Sequence, residues 1–216
     1  RNSTSELSTQ QPMVDFANRI VDIMGSDSIG LPPALNQFFE SARMLSTDPS
    51  SNILRAQFLR DADSLAGRFR ELSSQVNTID TETREATKKT LDKINTLTKQ
   101  IAVVNKQMLR EVTVDRQSPE LLDQRDRLLK DLSKLVKINV TTAANGAVDI
   151  SLTNSAKVGV VVSGLDSIEL GAKFDETDLG RGSVIADPYD DKNAESIPGI
   201  SSGELGGLLA FREQML

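Results

Sequence analysis

Residues that most often carry out enzyme chemistry are missing from this chain, which has no His and no Cys. Ser-His-Asp and Cys-His nucleophilic catalysis therefore lack either a base or a nucleophile. Zinc sites built on thiolate or imidazole are excluded, and so are disulfides. Only carboxylates, lysines and backbone N–H groups remain as candidates. Asp187, Asp190, Asp191 and Glu195 fall close together and could offer oxygen ligands to Ca2+. Their spacing does not follow an EF-hand loop and the central Gly is missing, so a solvated acidic loop is expected there. Asp123 and Asp126 could be read as a catalytic acid pair. They stand four residues before Arg127 and Lys130, which is the spacing of a charge ladder on a helix.

The backbone candidates lead the same way. Gly180-Arg181-Gly182 is half of a dinucleotide fingerprint, without its third Gly or the helix that must follow. Gly203, Gly206 and Gly207 open a helix and could cradle an anion. Close packing of that helix start against a neighbour is the expectation. Lys88, Lys89 and Lys93 form a basic patch with no aromatic residue nearby to stack a base, so they read as a solvated helix face. No catalytic, cofactor-binding or metal-binding residue is expected, and the chain reads as a non-enzyme. A net charge of −6 argues against nucleic acid as a partner. No apolar run approaches the roughly 20 residues that span a bilayer, so no membrane partner is expected.

The elements that hold these residues are mostly helical. Over 216 residues only 38% are apolar and 4% aromatic, which suits narrow helical seams better than a thick core. A first pattern runs from Glu6 to Met24, with Leu7, Val14, Ala17, Ile20, Val21 and Met24 on one face and Gly25 as its stop. Pro32 and Pro33 open a short second helix whose stripe is Leu35, Phe38, Phe39, Ala42 and Leu45, all expected to be core. Asp48 as N-cap and Pro49 at N1 then start the strongest pattern in the chain. Leu54, Phe58, Ala62, Leu65, Phe69, Leu72, Val76 and Ile79 alternate steps of three and four. The stripe resumes with Ile94, Leu97, Ile101, Val104 and Met108, which is a heptad seam. No Pro interrupts Ser50 to Arg110, so one unbroken helix would reach about 90 Å. Thr81, Thr83, Thr87 and Thr90 weaken the seam. The expectation is a bend or a water-facing stretch there, or a chain reversal between Ile79 and Arg84.

Ser118-Pro119-Glu120 starts another helix, whose face is Leu121, Leu122, Arg125, Leu128, Leu129, Leu132, Leu135 and Val136. The period then drops to two. Ile138, Val140 and Thr142 precede Asn145-Gly146, and Val148, Ile150 and Leu152 follow, which predicts a hairpin. A third strand is expected over Val158 to Val162 and a fourth over Ser167 to Leu170. Phe174 to Pro198 reads as an acidic loop or arm. Ser201 and Glu204 form a capping box for a last helix carrying Leu205, Leu208, Leu209, Met215 and Leu216.

The fold class expected is mainly α with a small β part. It is an elongated antiparallel helical rod or bundle with long heptad-patterned helices plus a small antiparallel β-sheet. The division expected is a helical rod over 1–136, a β element over 137–175, an acidic arm over 176–200 and a helix start over 201–216. A chain starting at Arg1 and stopping inside a helical pattern is expected to be an internal fragment, monomeric in isolation. These features suit an assembly protein, and a helical adhesin or sensor domain shares them.

Three stretches carry a family resemblance. They are Gln37-Phe38-Phe39 through Leu45-Ser46-Thr47-Asp48-Pro49 to Leu65-Ala66-Gly67-Arg68-Phe69, then Ser118-Pro119-Glu120-Leu121-Leu122-Asp123-Gln124-Arg125-Asp126-Arg127-Leu128, and Ser202-Gly203-Glu204-Leu205-Gly206-Gly207-Leu208-Leu209. Together they resemble the flagellar hook-associated protein 1 family, whose members join the bacterial flagellar hook to its filament. The resemblance covers residues 1–152 and 200–216. It implies a rod-like helical domain of an axial subunit that self-associates in a ring. The partners it implies are hook protein and the second junction protein or filament subunits, with an export chaperone held by a terminus outside this chain. It implies type III export and an extracellular place at the hook–filament junction. Another axial protein of the same system, flagellin-like or the second junction protein, is the nearest alternative.

Overall fold

The computed structural model describes residues 11, 13–22, 31–153, 159–175, 181–189 and 195–215. Residues 13–22 are helical. Helix α1 is Leu31–Thr47, α2 is Asn52–Met108, and a 3-10 turn over Val114–Arg116 leads to α3, Pro119–Leu135. Strands β1 (Asn139–Thr142), β2 (Val148–Ser151), β3 (Val160–Ser163) and β4 (Asp166–Ser167) form one antiparallel sheet in chain order. Strands β5 (Leu170–Phe174), β6 (Gly182–Ala186) and β7 (Glu195–Ile197) form a second, and α4 is Gly203–Met215. The chain divides into two compact units, one over residues 15–81 and one over 1–14 with 82–216.

Helix α2 settles the question of a reversal. It is one α-helix of 57 residues, with no break between Ile79 and Arg84. Its start differs from the expected Asp48 cap. Asp48 Oδ1 instead accepts the backbone N–H of Ser50 at 3.2 Å and the Ser50 hydroxyl at 2.7 Å, which makes a local turn. Ser51 Oγ then accepts the Leu54 N–H at 3.3 Å and does the capping. Ser118 holds the N-cap place before α3, as expected, although its side chain makes no cap bond.

In the 15–81 unit the apolar stripes are only partly covered. Phe38 packs on Phe58 with ring centroids 5.3 Å apart. Phe39, expected in the core, is 63% exposed. It sits one helical step, about 100°, from the Phe38 face, so both rings cannot share one narrow seam. Ile20 and Ile79 are buried, while Val21 and Phe69 are largely exposed. Gly25, Leu7 and Met24 lie outside the described residues.

The other unit holds the main core. Leu91, Ile94, Ile101 and Ala102 of α2 meet Leu129, Leu132 and Leu135 of α3. The same cluster takes in Val148, Ile150, Val161 and Val162 of the first sheet, Leu170, Val184 and Ile197 of the second, and Leu205 of α4. Of the threonine stretch only Thr81 faces water, where a bend, a water-facing stretch or a reversal was expected. Thr83, Thr87 and Thr90 are 0–1% exposed. Their short side chains leave room for long polar groups arriving from α4: Arg212 reaches Thr83, and Glu204 reaches Thr90.

The β region is larger than expected. Residues 182–186 and 195–197, placed by sequence in the acidic arm, are strands paired as Val184↔Ile197 and Ala186↔Glu195. Each strand buries one side chain deeply, Val184 or Ile197, which is too little to show as a period of two. Of the fourth strand expected over Ser167 to Leu170, Ser167 closes β4 and Leu170 opens β5, with residues 168–169 between them. The third runs over Val160–Ser163, and Val158 lies outside the described residues. The hairpin at Asn145-Gly146 is present, with Val140↔Ile150 and Thr142↔Val148 in register.

Candidate functional site

The groups best placed to do something in this fold are buried amides and guanidinium groups that tie the β layers and α4 to α2. Asn105 projects from α2 among Ile101, Ala102 and Met108 and is fully buried. Its Nδ2 donates to Val148 O and to Gly164 O, both at 2.7 Å, and its Oδ1 accepts Val148 N–H at 2.9 Å. Ten residues earlier, Asn95 donates to Leu170 O at 2.9 Å and accepts Leu170 N–H at 2.8 Å. Each carboxamide therefore acts as a neighbouring peptide would in a ladder, Asn105 at the start of β2 and Asn95 at the start of β5. One helix pins both sheets.

A second group holds the tip of the first hairpin. Gln117 Nε2 donates to Met108 O at 2.6 Å and Asn145 O at 2.9 Å. Arg125 of α3 donates to Gly146 O at 2.8 Å, and Val114 N–H donates to Ala144 O at 2.9 Å. Gly146 has φ 87°, and a Cβ there would lie 3.2 Å from Val114 and 3.3 Å from Arg125. Gly146 N–H closes the turn on Ala143 O at 2.9 Å. Gly146 is the left-handed residue of this turn and Asn145 is not, which matches a type I turn followed by glycine rather than a primed two-residue turn.

A third group joins α4 to α2 and β5. Arg212, 0% exposed, donates from Nη1 to Thr83 Oγ1 at 2.9 Å and lies 4.7 Å from the Phe174 ring centroid. Arg84 lies 5.2 Å from the same ring and donates to Asp175 O at 3.0 Å. Phe174 thus meets two guanidinium groups, and cation–π attraction is strongest in such desolvated places. Glu204 Oε1 is 2.7 Å from Thr90 Oγ1 and 3.6 Å from Lys93 Nζ. Glu204 therefore reaches across to α2 rather than back to Ser201, and the expected capping box does not form.

The other sequence candidates fall as follows. Gly203 has φ 79°, and a Cβ on it would lie 2.6 Å from the backbone of Leu135 and Val136. A Cβ on Gly206 would lie 2.5 Å from Ser201 C. Gly203 and Gly206 serve close packing, as expected. The ladder expected on α3 is rearranged: Asp126 pairs with Arg125 at 2.8 Å, and Asp131 with Lys134 at 2.7 Å, three residues on. Asp187 and Glu195 are exposed, while Asp190 and Asp191 lie outside the described residues. Among the described residues no three carboxylates gather as a metal site, and no helix is long and apolar enough to cross a membrane. A cleft of about 550 Å³ beside β5 and β6 is lined by Lys173, Arg181, Ile197, Leu209 and Glu213.

Asn95, Asn105, Gln117 and Arg212 were not among the sequence candidates. Asn95 and Asn105 stand next to the seam residues Ile94 and Val104, whereas Gln117 lies in the polar run from Asp115 to Ser118 and gives no signal.

A model of the family described as "Flagellar hook-associated protein FlgK helical domain" matches residues 17–216. This chain belongs to that family. The match includes residues 153–199, which the sequence resemblance leaves out. Flagellar hook-associated protein 1 of Salmonella typhimurium is 29% identical over 222 residues, covering 100% of this chain and 38% of that protein. The namesake from Escherichia coli is 28% identical over 92% of this chain and 36% of its own length. The one from Bacillus subtilis is 28% identical over 87% of the chain. The chain therefore spans well under half of these curated relatives. The flagellar hook junction protein FlgK from Burkholderia pseudomallei superposes with a TM-score of 0.79 at 23% identity, covering 98% of this chain and 39% of that one. That likeness shows the FlgK helical-domain fold, mainly helical with antiparallel β layers.

Proposed function

We propose that this chain is a structural segment of a flagellar axial subunit that joins hook to filament. The observation that carries the reading is the family match across residues 17–216. Its relatives are named as hook-associated proteins, and the matching structure as a hook junction protein. The absence of His and Cys supports a mechanical rather than catalytic role. So does the use of its buried polar groups to tie helix to sheet.

In this reading the full-length protein is exported and lies outside the cell, in the axis of the flagellum. Copies pack side by side in a ring, with hook protein on one side and the second junction protein or filament subunits on the other. Contact with an export chaperone belongs to the part of the full-length protein outside these 216 residues. The segment contributes packing surface, and hydrophobic burial worth roughly 25 cal/mol per Å² sums over a ring of copies.

The test is electron microscopy of cells deleted for the full-length gene, with an assay of flagellin in the medium. Bare hooks and flagellin lost to the medium are expected. Normal filaments on the deleted cells overturn the reading.

A further inference from the structure

Asn-Gly is the dipeptide most prone to spontaneous deamidation, because glycine leaves its backbone nitrogen unhindered. The Gly146 nitrogen would attack Asn145 Cγ and form a C–N bond, ammonia would leave, and a succinimide ring would close. Water then opens the ring to aspartate or isoaspartate. The isoaspartyl product carries one extra carbon in the main chain.

We infer that Asn145 is a latent ageing site, kept unreactive by the polar clasp around the hairpin tip. Three contacts oppose the attack. The Gly146 N–H is held by Ala143 O at 2.9 Å, so the attacking nitrogen is engaged on the other side of the turn. Asn145 Oδ1 accepts the Ala147 N–H at 3.1 Å, which holds the side chain in one geometry that attack would have to break. The peptide carbonyl between the two residues is gripped by Gln117 Nε2 at 2.9 Å, and that glutamine is itself anchored to Met108 O. Gly146 is buried and its carbonyl is held by Arg125. Ring closure needs this turn to rotate, and rotation breaks contacts to Gln117, the 3-10 turn and α3 together. An added main-chain carbon would not fit the same clasp, so modification and opening of the tip are coupled. The inference is independent of the proposed function.

Peptide mapping by mass spectrometry tests it. The folded 216-residue chain and the same chain in urea are aged at pH 8, and the Asn145 peptide is followed for its one-dalton gain. The folded chain is expected to react more than about tenfold slower, the factor that an opening free energy near 1.4 kcal/mol produces. Gln117→Ala is the variant that loosens the tip, with circular dichroism to confirm that it folds. Its Asn145 rate is expected to rise toward the unfolded one. If it does not fold, Arg125→Ala gives the same comparison through Gly146. Equal rates in the folded and unfolded wild-type chain overturn the inference. So does a folded clasp variant that ages as slowly as wild type.

Discussion

Asn105 and Val148 exchange two hydrogen bonds, the side chain of one closing a ring on the backbone of the other across the helix–sheet boundary. Because Val148 is buried, removing the carboxamide strands two backbone groups, Val148 N–H and Val148 C=O, while the C=O of exposed Gly164 can turn to water. Each costs about 1–3 kcal/mol when left without a partner. Asn105→Ala is therefore expected to lower stability by about 2 kcal/mol or more in urea unfolding. Asn105→Asp, which would set a carboxylate oxygen against the Val148 and Gly164 carbonyls in a buried place, should cost at least as much as the alanine variant. A loss below about 1 kcal/mol for the alanine variant would mean that Asn105 only fills space.

Two glycines should respond in opposite ways. Gly203 combines φ 79° with a Cβ position 2.6 Å from the Leu135 backbone, so Gly203→Ala must push α4 off the end of α3. A loss of at least about 2 kcal/mol is expected. Gly67, inside α2, has nothing within 4 Å of a built Cβ. Gly67→Ala should stabilise by about 0.5–1 kcal/mol through helix propensity. Thermal unfolding of both variants beside wild type checks the pair.

The buried threonines are not equivalent. Thr87 Oγ1 bonds only within its own helix, to Thr83 O at 2.7 Å, whereas Thr83 Oγ1 receives the Arg212 guanidinium. Thr87→Val should change stability by less than about 1 kcal/mol, while Thr83→Val takes an acceptor from a buried cation and should cost about 1.5–3 kcal/mol. Equal effects measured in urea would show that the Arg212 contact contributes little.

Much of the helical layout was legible because period and punctuation agree over long stretches. The α3 start at Ser118-Pro119 and the Asn145-Gly146 hairpin are examples. The burial of Thr83, Thr87 and Thr90 is not legible because small polar residues look like a gap in an apolar stripe. Whether they are buried depends on Glu204 and Arg212, more than a hundred residues away. Asn95 and Asn105 were invisible for the same reason: an amide beside a seam declares neither its direction nor the strand end waiting for it. Strands β6 and β7 were missed because each buries a single deep residue, which leaves no alternation to read.

Acid should release the turn before α2. The Ser50 hydroxyl, and then the Ser50 N–H, hold the Asp48 carboxyl below its ordinary value of 3.8. A depressed folded-state pKa means that the contribution is complete above the ordinary value and is lost as pH falls through the folded one. Titration of Asp48 followed by NMR should show a midpoint under 3.8. In Ser50→Ala the midpoint should move up toward that value, and an unchanged midpoint would contradict the assignment.

The central structural claim is that α2 pins each sheet separately through one asparagine, and amide hydrogen exchange at Val148 and Leu170 tests it most directly. Both N–H groups donate to a buried side-chain oxygen, of Asn105 and Asn95 respectively. In the wild-type chain both should exchange slowly. Asn105→Ala should speed Val148 while leaving Leu170 slow, and Asn95→Ala should do the reverse. Fast exchange at both amides in the wild type, or an equal response of both to either substitution, would contradict the account.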